Sequence, residues 1–320
     1  MGDKQPEIVF EDDAEGRGAG ADASSKPSES TPRLPWQRFV REASPAEIRK
    51  RFAAEAGDVL SRHKQVSDAY CCLTLFDPHG SITGFEADRM YQALSEHNAA
   101  RDRDVLLLIQ SRGGNIEPAY QITKLCKLYA ADRFVVAIPR EAKSSATLVA
   151  IGADEIHMGP LSELGPIDPQ IGGLPALGVK QALDTIAALA AKHPRSSDMF
   201  AQYLRMALTV EQIGYCERIG ESAVQYAERL LGPKKGLPGS ASNIARELVY
   251  EYKHHGFVID SAEAAERLGG DLVKTDTPEI RFAEELYRLF DIVDLWLGPE
   301  RRLVAEGLVG EEPMILTSAS

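Results

Sequence analysis

The five residues Val105-Leu106-Leu107-Leu108-Ile109 form an unbroken apolar run. Successive side chains of a strand point to opposite faces, so such a run fits a strand covered on both sides, which calls for a parallel sheet with helices on each face. The neighbouring sequence agrees. Strand-like stretches at 69–76, 133–138 and 155–158 alternate with helical stretches at 85–97, 117–129 and 144–151. Strands separated by single helices predict a mainly parallel α/β sheet, with its chemistry in the loops that follow the strands.

Two of those loops carry candidate chemistry. Ser111-Arg112-Gly113-Gly114-Asn115 follows the apolar run and opens a helix. Paired glycines there permit positive φ and bring bare N–H groups near a ligand, although a plain strand-to-helix turn uses them too. Ala142-Lys143-Ser144-Ser145-Ala146-Thr147-Leu148 follows the next strand and sets serines at the first turn of a short apolar helix. The unsatisfied N–H groups of a helix start favour both an alkoxide and the anion of a tetrahedral intermediate. Serine is also a favoured helix cap, so neither loop is diagnostic alone; together they supply a nucleophile and N–H donors. The glycines lack the GxGxxG and Gly-Lys-Ser/Thr patterns of nucleotide loops, so no nucleotide cofactor is expected.

Away from this core the composition changes. Residues 1–33 hold eight acids and four bases, −4 of the net −12, among Gly, Ala, Ser and Pro. Such a stretch cannot offset its ordering entropy and is expected to be a disordered acidic tail, with Ile8-Val9-Phe10 its only apolar cluster. Residues 34–66 form an N-terminal helical segment started by Ser44, Pro45 and Glu47 and running to about Lys64. Residues 67–232 are the expected catalytic domain, ending in long helices from Ser197. Residues 233–320 read as a helical extension, with helices at 240–254, after an Asp260/Glu263 capping box, and at 278–297.

The acidic balance removes the basic field that phosphate-backbone binding needs, so nucleic acid is not an expected partner. Cys71, Cys72, Cys126 and Cys216 show neither a CxxC pair nor zinc-ligand spacing. They read as small buried apolar groups in a reducing compartment, and no metal is expected. No run approaches the roughly 18 apolar residues of a membrane span, so the chain is expected to be cytoplasmic.

Three ordered motifs now stand together: Ser-Arg-Gly-Gly-Asn at 111–115, Ala-Lys-Ser-Ser-Ala-Thr-Leu-Val-Ala-Ile-Gly-Ala-Asp-Glu-Ile at 142–156, and Gly-Pro-Leu-Ser-Glu-Leu-Gly-Pro-Ile-Asp-Pro-Gln at 159–170. They resemble the serine dehydrogenase proteinase family, Clp-fold serine proteinases related to the Clp proteolytic subunit and signal peptide peptidase A. The likeness spans roughly Tyr70 to Leu231, and His255-Gly256-Phe257-Val258-Ile259 carries it to about Leu272. The resemblance implies a Clp/crotonase-like α/β fold of repeated ββα units with additional C-terminal helices, a homo-oligomer, a peptide or unfolded-protein substrate, and no cofactor. It also implies Ser144 as nucleophile, placed as in peptidase-A-like enzymes relative to Gly152. The implied oxyanion hole is the Gly114 N–H, supported by Gly113, with the Ser145 N–H. Relatives in this group are often anchored at their N-termini, where this chain carries its charged tail.

The general base stays open. Clp subunits have a histidine about where this chain has Asp168, and an ionised aspartate of ordinary pKa is a poor base for a hydroxyl. Peptidase-A-like enzymes use a lysine well downstream of the serine, which puts Lys180 first. Lys143, beside the nucleophile, and His255, in its His-Gly step, are the other candidates. Asp168 is then read as orienting a base, binding substrate backbone or closing a turn, and His157 as a satisfied structural residue. The reading that results is a serine endopeptidase with a Ser-Lys dyad. A crotonase-like acyl-thioester enzyme with Asp168 as acid/base, and a non-catalytic oligomeric scaffold, are its alternatives.

Overall fold

A computed structural model describes residues 34–171 and 174–317, so the tail expected over 1–33 lies outside the described residues. Helix α1 (Trp36–Glu42) leads into α2 (Pro45–Arg62), whose capping box forms as its residues predict: the Ser44 hydroxyl accepts the Glu47 N–H, and the Glu47 carboxylate accepts the Ser44 N–H at 2.8 Å. The helix ends one turn's fraction earlier than expected, at His63, whose ring pairs with Glu285 at 2.7 Å while α3 (Lys64–Ala69) starts afresh.

Next come β1 (Tyr70–Asp77), α4 (Gly84–His97), β2 (Asp104–Ser111), α5 (Ile116–Tyr129), β3 (Phe134–Ile138), the two-residue β4 (Glu141–Ala142), α6 (Ser145–Gly152) and β5 (Glu155–Met158). Short strands β6 (Glu163–Leu164), β7 (Gln170–Ile171) and β8 (Leu174–Pro175) follow, then α7 (Ala176–Lys192), α8 (Ser197–Ala207) and α9 (Val210–Leu231). The chain continues through α10 (Ala241–Tyr250), α11 (Ser261–Leu268), β9 (Val273–Thr275), α12 (Pro278–Leu297), β10 (Arg301–Leu308) and β11 (Met314–Thr317).

The sheet runs β11-β10-β1-β2-β3-β5-β9, and β1, β2, β3, β5 and β9 are parallel. Alternation sorts its side chains. Leu73, Leu107, Val136 and Ile156 pack under α4, α5, α6, α9 and α10, whereas Leu106, Leu108, Val135 and Ala137 face α2 and α12. All of them are buried, and each fully buried Leu, Ile or Val side chain contributes about 1.5–3 kcal/mol, so the apolar run at 105–109 is the central plank of a three-layer α/β sandwich. The unit β3, β4, α6 has the expected ββα form. In it β4 pairs with Ser111 of β2 and with β6, making a ledge beyond the C-terminal ends of the main strands.

The C-terminal region, expected as a helical extension, holds strands beside its helices α10, α11 and α12. Strands β9, β10 and β11 lie within it, and β10 joins β1 antiparallel, with Leu75 opposite Glu306. An edge at β1 would leave a row of backbone groups unpaired, and residues 303–307 bury themselves to close it. Helices α10 and α11 are not a separate layer either: Ile244, Leu248 and Leu268 share one apolar cluster with Val224 of α9. Asp260 caps α11 through the Ala262 and Glu263 N–H groups, but Glu263 accepts from the Tyr252 hydroxyl instead of closing a capping box. The four cysteines are free and buried, as expected.

Candidate active site

Helix α6, sequence SATLVAIG, is buried over its whole length, so it has no polar face and is a core helix whose start points at the β4 ledge. Ser144 is its N-cap residue, with φ +52° and ψ −121°. A non-glycine residue in left-handed φ costs on the order of 1–3 kcal/mol and persists only where its surroundings impose it. Here the Lys143 N–H donates to Ser111 O at 3.0 Å, and Lys143 O and Ser144 O accept from Ala146 and Leu148 at 2.8 and 3.3 Å. The Ser144 hydroxyl makes no capping bond, so it does not do what a cap serine does. It lines a cleft of about 510 Å³, half-buried, whereas Ser145 is 1% exposed with its Oγ lacking a hydrogen-bond partner.

The Gly-Gly loop forms the neighbouring wall. Gly113 has φ +99°, and a Cβ there would lie 2.6 Å from Lys143 O and 2.8 Å from Ser144 Cβ, so only glycine lets the loop approach the serine this closely. A Cβ on Gly114 would lie 2.3 Å from Ile82 N, because Ile82 is laddered to this loop through Gly113 O and the Asn115 N–H. The Gly113 N–H is taken by Ser111 Oγ at 3.1 Å. In that ladder the Gly114 N–H points away from Ile82, and the Ser145 N–H is one of the orphan donors of a helix start. Both residues line the cleft.

Across the cleft stands His255, in the loop after α10. Its Nδ1 lies 3.7 Å from Asp168 Oδ2, and Asp168 is 5% exposed. Eighty-seven positions apart in sequence, these two residues meet because their loops are stitched together. Leu164 and Ile259 exchange N–H to O bonds at 2.9 and 3.0 Å, and the Ile167 N–H donates to Leu248 O at 2.8 Å. Thr147, one turn into α6, fastens the same loop to the helix. Its hydroxyl lies 2.7 Å from Ala142 O and 2.8 Å from Gly165 O, and it accepts the Gly165 N–H.

Lys143 is buried and turned away from the cleft. Its ammonium donates to Leu164 O at 3.3 Å and Phe257 O at 3.1 Å and pairs with Glu163 Oε1 at 3.0 Å. Lys180 falls in the first turns of α7, and its side chain lies outside the described residues. His157 is structural, bonded to Thr277 and Glu155 within the core. No cluster of potential metal ligands occurs among the described residues, and no described helix is long and apolar enough to cross a membrane.

With this geometry in hand, comparison with known proteins gives three results. An uncharacterized protein of Methanocaldococcus jannaschii, MJ0137, is 30% identical over 194 residues, which are 61% of this chain and 60% of that one. A second from the same organism, MJ1495, is 38% identical over 81 residues, 25% of this chain and 27% of the relative. The chain thus spans less than two thirds of either relative. Among solved structures, the 1510-N membrane-bound stomatin-specific protease with a substrate peptide matches at 14% identity and TM-score 0.41, covering 66% of this chain and 77% of that one. ClpP1 from Listeria monocytogenes matches at 13% and 0.41, covering 66% and 94%. A putative enoyl-CoA hydratase from Streptomyces coelicolor A3(2) matches at 13% and 0.38, covering 72% and 71%. The sequence model of the ClpP-like SDH-type serine proteinases matches residues 63–213, the stretch that holds Ser144, both glycines and Asp168, and it bears out the resemblance read from the motifs.

Proposed function

We propose that this chain is a serine peptidase that cleaves peptide bonds through an acyl-enzyme on Ser144. The observation that carries this reading is a serine held at left-handed φ at the start of a buried helix, its hydroxyl excused from capping and open to a cleft. The sharp turn of a nucleophile elbow presents a serine in the same way.

In this reading His255 takes the Ser144 proton, Asp168 orients the imidazole and stabilises its charged form, and the Gly114 and Ser145 N–H groups hold the oxyanion. The proton then passes from His255 to the leaving amine, the acyl group stays on Ser144, and water activated by His255 releases it. The 3.7 Å between His255 and Asp168 is long for a hydrogen bond, as catalytic contacts often are before substrate binds. His255 is preferred to Lys143 because all three ammonium protons of Lys143 already have acceptors. Lys180 remains the competing base in a Ser-Lys dyad.

Labelling by a serine-reactive phosphonate, read by intact mass, tests the assignment. Ser144→Ala abolishes labelling, His255→Ala slows it roughly 100- to 10,000-fold, and Lys180→Met leaves it near the wild-type rate. Labelling that survives in Ser144→Ala overturns the nucleophile. Lost labelling in Lys180→Met with normal labelling in His255→Ala restores the dyad. Tight binding of a coenzyme A thioester without labelling favours the acyl-thioester alternative.

A further inference from the structure

We infer that Lys143, the residue before the nucleophile, is a positioning residue that holds the Asp168 and His255 loops in register with the start of α6. This rests on the triad reading above. An ammonium has three protons, and Lys143 gives them to three acceptors on two segments: Glu163 Oε1 and Leu164 O at the head of the Asp168 loop, and Phe257 O two residues after His255.

Each of the three bonds ties the ammonium to a backbone or carboxylate oxygen of a neighbouring segment, and Leu164 O is shared with the Ile259 N–H that stitches the two loops together. The main chain of the same residue completes the hub. The Lys143 N–H holds Ser111 O at the foot of the Gly-Gly loop, and Lys143 O accepts from Ala146 within α6. One residue therefore touches the segments that bear the oxyanion donors, the nucleophile, the acid and the base. Gly165 leaves room for the arrangement, since a Cβ there would lie 2.5 Å from Lys143 Cδ.

Lys143 is not among the residues that line the cleft, so removal of its side chain is expected to act through the position of His255 and not through substrate contacts. The test compares phosphonate inactivation of wild type, Lys143→Met, His255→Ala and the double variant, separating the first-order inactivation constant from the concentration of half-saturation. Lys143→Met is expected to lower the inactivation constant about 30-fold with half-saturation unchanged, the scale of a misplaced catalytic group. Once His255 is gone, losing Lys143 should change the rate by less than about 2-fold, because the two losses act on one step.

A Lys143→Met protein that inactivates at the wild-type rate, or whose deficit multiplies fully with that of His255→Ala, overturns the inference. If Lys143→Met does not melt cooperatively, Gly165→Ala, which displaces the lysine while keeping its charge, is read by the same criteria. His255→Ala at the wild-type rate removes the triad reading and this inference with it. A slow His255→Ala beside a normal Lys143→Met removes only this inference.

Discussion

Two of the histidine and carboxylate pairings, one at His157 on β5 and one at His255 in the loop after α10, differ in completeness. His157 on β5 sits between Ile156 and Met158, which face the α5 and α6 layer, so alternation turns it toward α12. It is 3% exposed, with Nδ1 2.6 Å from Thr277 Oγ1 and 3.4 Å from Glu279 Oε2, and Nε2 3.1 Å from Glu155 Oε2. His255 stands beyond the C-terminal ends of the strands, its side chain 31% exposed, its Nδ1 without a hydrogen bond and 3.7 Å from Asp168. A histidine beside an acid does not by itself make a site. What separates the two is unfinished bonding at the edge of a cleft that also holds a strained serine and bare N–H groups.

Asp168→Asn offers the strongest way to break the comparison. The substitution keeps the shape of a buried side chain and removes only the charge that the proposed triad uses to orient His255, so under that proposal labelling should slow roughly 100- to 10,000-fold with little change in melting temperature. Labelling at the wild-type rate would put the two clusters in the same class.

His157→Ala is expected to do the opposite. It leaves Glu155, Glu279 and Thr277 without their buried partner, at a cost of about 3 kcal/mol, while labelling of the folded fraction stays at the wild-type rate. Burial holds the His157 imidazole below its ordinary value of 6.5. The unfolded chain therefore binds a proton that the native state refuses, and stability falls as pH drops below about 6.5. Thermal melts from pH 8 to pH 5 should show that acid loss in wild type and a smaller one in the variant. Equal losses would remove His157 as its source.

The contrast also shows what was legible in the sequence. The core strands were, because a run such as Val105–Ile109 has no other comfortable place than a sheet covered on both faces. Ser144 and the paired glycines were, because helix starts and tight approaches leave local marks. The meeting of Asp168 and His255 was not: it is made by the bridge between Leu164 and Ile259, and a contact across so many residues has no local signature. Lys143 read as a possible base because adjacency to Ser144 is visible and side-chain direction is not. Strand β10 hid for a different reason, its alternation broken by Glu306 and Gly307.

Glu306 gives the finest test of the idea that unfinished bonding alone does not make a site. Both its carboxylate oxygens are buried without a hydrogen bond, and burial, with Glu86 and Asp77 nearby, raises its pKa to about 8 against the partial relief of Arg89 and Arg302. The native state thus holds a proton that the unfolded chain, titrating near 4.5, releases. Stability from this group is fully present below that lower value and is lost as pH rises through about 8. Glu306→Gln, uncharged at every pH, should match wild type at pH 5 and be more stable at pH 9 by on the order of 1–2 kcal/mol, with labelling unchanged at both. A variant less stable than wild type at pH 9 would show that the ionised carboxylate is welcomed there. Slowed labelling would show that this end of β10 reaches the cleft, through the Asp77 turn whose side chain holds the Gly80 N–H at 2.7 Å.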